Sequence, residues 1–248
     1  MYSPEQIKNF LFIDVETVTA HPDFEAMQQE APLLAEHWVE KCKLITGRTG
    51  KPELAHHSPA ELYEQEAALY SEFSKIVTVS IGQITFQDDV PQFKVKSYTD
   101  TQEAPILQDL NKALFALFNR NPNMKLVGHN ITGFDLPLIL RKFIQYDLAL
   151  PRQLHLHTIK PWESCLVDTS AIWKFGSWTG CSLDLLCLTL GIPSPKTDLK
   201  GAKVSAAYWA GEAEGTNSQL GRITQYCEAD VKAVANVILK MAQQPICL

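Results

Sequence analysis

Three stretches of the chain carry carboxylates at spacings with chemical consequences. In "IDVET" (residues 13–17), Asp14 and Glu16 stand two apart inside a run of β-branched and aromatic residues from Phe10 to Val18. Side chains at i and i+2 share one face of a strand, so the two acids lie side by side while Ile13 and Val15 point the other way. Like charges buried together raise each other's pKa unless cations or hydrogen-bond donors compensate them. A solvated strand end is the simpler alternative. In "YCEAD" (226–230), Tyr226 and Asp230 are four apart and therefore neighbours on one helix face, with Glu228 aimed elsewhere. Taken singly, that is a helix-surface contact. Asp135, in "GHNITGFDLP" (128–137), falls at a strand-to-helix turn, where an Asp commonly caps the free amides of the first helical turn.

The elements that must position these residues follow from periodicity and breakers. Phe10 to Val18 reads as a buried strand. Residues 24–46 and 59–73 carry helical spacing around "GRTGKP", a helical insertion over about 20–74. Residues 75–86 and 92–99 read as a strand pair joined by the turn "QDDVP". A helix near 103–119, a strand at 125–128, a helix from 135 to about 147 and a strand at 165–170 follow. "SLDLLCLTLGIPSP" reads as a helix from a Ser182 cap to a Gly191 stop, and a last helix spans roughly 217–242. Early strands linked as hairpins and later strands alternating with helices predict a mixed α/β sheet with helices packed on it.

The chain has 248 residues and is 46% hydrophobic, enough for a sizeable core, and its 12 Gly and 14 Pro are scattered without a repeat or low-complexity tract. One domain is expected. No run approaches the ~18 apolar residues of a membrane span, and the N-terminus lacks the pattern of a secretory signal. The six cysteines show no CxxC spacing, so reduced thiols in a cytoplasm are expected. A net charge of −6 argues against tight nonspecific binding to a polyanion, although a carboxylate cluster neutralised by cations would carry part of that charge.

A strand DxE, a helix-start Asp after an Asn-containing loop and a late-helix YxxxD, in that order, resemble the DnaQ-like DEDD superfamily of 3′-to-5′ exonucleases. "GHNITGFDLPLI" is similar to the second exonuclease motif of family B DNA polymerases, with its Asn-x-x-x-Phe-Asp core. The tyrosine spacing is that of the DEDDy branch, and the nearest type is a stand-alone bacterial exonuclease related to the family B proofreading domain. The resemblance implies an RNase H-like α/β fold, a mixed central sheet flanked by helices. It implies Asp14, Glu16, Asp135 and Asp230 as ligands of two Mg²⁺ or Mn²⁺ ions, which as hard cations choose oxygen donors. It implies Tyr226 as the residue orienting the attacking water, Thr17 as a contact to the terminal nucleotide through its backbone, and Asn130 and Phe134 as supports of the site or contacts to that nucleotide. Phe134 as packed core is the alternative. The implied substrate is the 3′ end of single-stranded or frayed DNA, with RNA left open because 2′-hydroxyl recognition cannot be placed, and a non-catalytic nucleic-acid-binding module on the same fold is the alternative to an enzyme. Under the same resemblance, residues 20–74 shape substrate access.

Other candidates are weaker. Asp168, a fifth carboxylate at a strand end, reads as structural. His129 reads as a loop hydrogen-bonder, and His155 with His157 lack a third ligand for a metal. "GRTG" (47–50) lacks the spacing of a phosphate-binding loop. Trp162, Trp173 and Trp178 offer either stacking surfaces or packing. Lys142, Lys160, Lys174 and Lys196 are scattered cations for gripping a substrate.

Overall fold

The computed structural model describes residues 2–47, 50–158, 160, 163–194, 203–215 and 218–247. Trp162, Lys196 and the Arg48–Thr49 pair of "GRTG" lie outside the described residues.

A short capped helix α1 (Pro4–Ile7) leads into β1 (Phe10–Thr19), which alternates between two cores. Leu11, Ile13 and Val15 join one cluster, while Phe10 and Phe12 join another on the opposite face. The predicted helical insertion comprises α2 (Phe24–Glu30), α3 (Pro32–Ile45) and α4 (Pro59–Glu66), followed by a 3₁₀ turn at Ala67–Leu69. Met27, Trp38, Cys42, Tyr63 and Phe73 give this segment its own apolar cluster.

β2 (Ser74–Gln87) and β3 (Val90–Thr99) form the expected hairpin. The turn is tighter than the predicted five-residue link: only Asp88 and Asp89 connect the strands, with φ of 49° and 63°. Positive φ at both central residues is what a two-residue hairpin of matching twist requires, and Asp tolerates it. After α5 (Glu103–Arg120), β4 (Lys125–Gly128) and α6 (Asp135–Gln145), the chain forms β5 (Leu166–Asp168). It then runs directly into α7 (Thr169–Lys174). The strand predicted at 165–170 is shorter because Asp168 caps that helix through the amides of Ser170 and Ala171. α8 (Leu183–Leu190) starts at its Ser182 cap and stops at Gly191, which has φ of 67°. α9 (Val204–Ala213) and α10 (Ser218–Met241) complete the described helices. The sequence spacing does not predict α7, too short for a periodic stripe, or α9, whose small and apolar residues surround most of its circumference.

The sheet order is β3-β2-β1-β4-β5, antiparallel from β3 to β1 and parallel from β1 to β5. This is the mixed sheet of an α/β, RNase H-like fold. α5 and α6 pack on one face through Leu110, Leu114 and Ile139. α10 packs on the other through Val231, Val234 and Ile238. Gly82 of β2 permits that approach, since a Cβ there would fall 2.4 Å from the Phe93 ring and 3.0 Å from Val231. No helix among the described residues is long and apolar enough to cross a membrane.

Candidate active site

On the α10 side of β1, Asp14 and Glu16 take the places between Phe12, which packs under α10, and Val18, which packs with Val204, Tyr208 and Ile223. The alternation that buries Phe12 and Val18 therefore drives both acids under α10 as well. A bulge follows: the β1–β2 register slips between Glu16 and Thr17, leaving Val77 as the extra residue. In α10, Tyr226 and Asp230 lie one turn apart beside Cys227 and Val231, which are fully buried. Asp14, Glu16 and Asp230 each offer a carboxylate oxygen within 4.8 Å of the others.

Asp135 approaches from α6 and is 5% exposed. It is near enough to raise the pKa of Asp14 and Glu16, though it stands outside the tight trio. Its carboxylate accepts the backbone N–H of Val15 and its own. The parallel β1–β4 ladder ends at Phe12 and Val127, so the Val15 amide lies beyond it and is taken up by a side chain instead. Asp135 is not a helix cap: Phe134 holds the cap position of α6 and no side-chain cap bond forms there.

The loop that delivers Asp135 is strapped to Asp168. That carboxylate accepts the amides of Asn130 (2.9 Å), Thr132 (3.2 Å), Ser170 (3.0 Å) and Ala171 (3.3 Å), and the Thr132 hydroxyl (2.6 Å). Burial alone would raise the Asp168 pKa, but these donors outweigh it and hold the carboxyl below its ordinary value. His129 bridges the Thr169 hydroxyl at 3.0 Å and the Cys181 carbonyl at 2.9 Å, the second contact accepting from Nε2. Asn130 is exposed with φ of 63°. Phe134 is partly buried against the α5–α6 core. Thr17 is buried, and its hydroxyl donates to the Ala68 carbonyl at 2.7 Å, tying β1 to the helical insertion.

The electrostatics of the trio are those of compressed like charge. Burial first, then Asp135, Glu16 and Asp230, push the Asp14 carboxyl well above the usual range. Burial, then Asp230 and Asp135, do the same to Glu16. Asp135 is pushed up to about 7 by burial, partly offset by the two backbone amides. Burial raises Asp230 to about 6 against the hydrogen bond from Tyr226, with Asp184 adding to the rise. Tyr226, raised by burial and then by Asp230, Glu16 and Asp14, stays a neutral phenol donating to Asp230. The buried Cys227 thiol is likewise held neutral and donates to the Asp14 backbone carbonyl at 3.5 Å. Its spacing carries no signal in the sequence.

These residues fit a hard divalent cation. Asp14 Oδ2 is buried with no hydrogen-bond partner. Three oxygen donors form the tight group, and among the described residues no Lys or Arg makes an ion pair with any of them. A buried, unpaired carboxylate oxygen among other carboxylates is costly unless positive charge joins it.

Several candidates lie elsewhere. Lys142 is no surface cation: it is buried, donates to the Ser74 carbonyl at 2.5 Å and pairs with Glu103 at 3.2 Å. His155 Nε2 meets the Leu150 carbonyl at 3.3 Å. Glu228 faces the β2–β3 hydroxyls and accepts from Ser97 at 2.6 Å. Trp173 packs against the apolar cluster of α8 and α10.

No curated protein matches the chain. Among solved structures, the family B DNA polymerase of the hyperthermophilic archaeon Pyrobaculum calidifontis matches 94% of this chain at 14% identity and a TM-score of 0.50. The chain spans 24% of that polymerase's length. The likeness is one of fold. Residues 68–244, more than half of the chain, match the model of a family described as "Predicted 3'-5' exonuclease related to the exonuclease domain of PolB". That span contains Asp135, Tyr226 and Asp230, whereas Asp14 and Glu16 precede it and meet Asp230 only through the packing of β1 under α10. The chain belongs to this family of predicted 3′-5′ exonucleases related to the exonuclease domain of PolB.

Proposed function

We propose that the chain acts as one exonuclease domain that removes nucleotides from the 3′ end of single-stranded or frayed DNA as 5′-monophosphates. The helical insertion over 20–74 borders the route of the strand, and a reducing cytoplasm suits the six free thiols. The observation that carries the reading is the trio of Asp14, Glu16 and Asp230 with an orphaned buried oxygen on Asp14.

Asp14, Glu16 and Asp230, with Asp135 beside them, would hold Mg²⁺ or Mn²⁺, as two ions. Bound there, such ions lower the pKa of an attacking water and stabilise the departing 3′ oxygen of an in-line displacement. The protein's own groups do the positioning. Tyr226, kept protonated, is a hydrogen-bond partner for a water or phosphate oxygen beside Asp230 and not a base. The Asp168 strap fixes the loop 128–134, so Asp135 meets the site at a set distance while Asn130 lies open to a terminal nucleotide. The Thr17 side chain is already committed to Ala68, so a nucleotide contact at that position falls to its backbone beside the bulge.

The test is digestion of a 5′-labelled single-stranded DNA oligonucleotide with Mg²⁺ or Mn²⁺, beside an RNA of the same sequence. A ladder shortening from the 3′ end, release of 5′-monophosphates and loss of both in chelator are expected. Intact strands under every metal condition with folded protein overturn the proposal; faster digestion of the RNA arm reassigns the substrate.

A further inference from the structure

We infer that the loop between α7 and α8 is a stacking platform for the bases of the strand entering the site, with Phe175 and Trp178 as its rings and Lys174 as its phosphate contact. The inference rests on the exonuclease reading and deepens it.

Trp178 is 92% exposed and Phe175 80% exposed. Rings so placed forgo the burial that Trp173, five residues before Trp178, obtains against α8 and α10. Phe175 also sits in the left-handed region with φ of 46°, followed by Gly176 at 82°. An L-residue with a bulky side chain is strained there, so the backbone turns outward against a local preference. Strain of this kind clusters at active sites and ligand clamps.

The loop is moored to the acidic site at both ends. α7 begins at Asp168, the strap of the Asp135 loop. The other end is held where the Cys181 carbonyl accepts from His129, within that same loop. α8 then brings Asp184 near enough to raise Asp230. Between these moorings, the Lys174 side chain lies back across Gly180, whose missing Cβ would fall 2.8 Å from Lys174 Cε. Among the described residues no carboxylate pairs with that lysine.

The charge balance decides what such rings are for. A net charge of −6 leaves little general attraction for a run of phosphates. Most of the grip on a strand then falls to contacts insensitive to charge and sequence, with Lys174 adding a single phosphate contact, and stacking on aromatic faces is such a contact because every base has a π-face. Leu185 and Leu188 on α8 are also exposed, so a protein-facing patch is the competing outcome.

The experiment compares Trp178→Ala, Trp178→Phe and Phe175→Gly with the parent on two substrates. One is a long single-stranded oligonucleotide and the other a nitrophenyl ester of a nucleoside 5′-monophosphate, which presents no further bases. Trp178→Ala is expected to raise KM for the oligonucleotide about tenfold, equal to about 1.4 kcal/mol. Its kcat and its hydrolysis of the ester stay at the parent's values, and Trp178→Phe recovers most of the loss. Phe175→Gly is expected to raise KM while Tm holds or rises, since glycine adopts that φ freely; a packing role would lower Tm instead. Fluorescence anisotropy of the labelled strand in chelator reads binding separately. An unchanged KM and unchanged anisotropy in Trp178→Ala overturn the platform, and so does a change confined to the protein's sedimentation, which would assign the patch to protein contact. If the parent cleaves neither substrate the exonuclease reading fails, and the anisotropy alone decides the platform.

Discussion

Asp14 concentrates the chemistry of the site because one of its oxygens is buried without a donor while three other carboxylates crowd it. Under the proposed function, replacing it would remove a cation ligand outright, whereas Tyr226 would act through its hydrogen bond to Asp230. Asp14→Ala is therefore expected to lower kcat by about 10³ or more, roughly 4 kcal/mol of transition-state stabilisation. Tyr226→Phe is expected to lower it by about 10–100-fold, the usual effect of losing a partner of a ligand. Single-turnover digestion of a labelled strand measures both, and equal losses would contradict the division of roles. The same residue carries a stability signature of opposite sign. Asp14→Asn removes one charge from a buried cluster of like charges and supplies donors to its neighbours. The metal-stripped variant is expected to melt higher than the metal-stripped parent at pH 8 in a thermal scan, while losing activity.

The elements matter through how rigidly they deliver their acids. β1 and α10 do so by burial, since the faces that hide Phe12 and Val231 also bring Asp14 and Asp230 together. The loop 128–134 is pinned to the α5–α6 core through the fully buried Ile131, and its polar side is held by Asp168, which gathers five donors from two segments. Asp168→Ala leaves those donors without their acceptor and is expected to cost about 3 kcal/mol of stability, read by urea unfolding in chelator. It should also weaken metal-dependent activity although Asp168 belongs to no ligand set, because Asp135 loses its fixed approach. An Asp168→Ala protein of parental stability would show that the loop holds itself. The helical insertion is coupled to β1 in a similar manner, through Thr17 and the Ala68 carbonyl.

At the scale of the whole molecule, the acidic site works against the folded state as pH rises. Asp135 and Asp230 rise from 3.8 when unfolded to about 7 and about 6 when folded, so the folded protein holds protons that the unfolded chain has released. Their contribution to stability is therefore fully present below about pH 4 and is lost as pH climbs through 6 and 7. In chelator, Tm is expected to fall over that range, less steeply in Asp230→Asn. Adding Mn²⁺ is expected to raise Tm more at pH 8 than at pH 5, where protons compete for the same oxygens. Thermal scans at the two pH values test this, and a larger gain at pH 5 would contradict it.

Periodicity and spacing were enough to place Asp14 beside Glu16 and Tyr226 beside Asp230, because strand and helix geometry make such neighbours local matters. They also predicted the mixed sheet, the hairpin, and the cap and stop of α8. Local geometry says nothing of which distant faces meet. That Asp230 comes within 4.8 Å of Asp14 and Glu16, while Asp135 turns to the Val15 amide, follows from the packing of α10 and α6 on opposite faces of β1. Lys142 shows the limit from the other side, a cation by sequence that long-range burial beside Glu103 withdraws from the surface. Side-chain neighbours along one element are set by a residue-level repeat, but neighbours between elements are set by which apolar surfaces can be buried together, and that is a property of the assembled core.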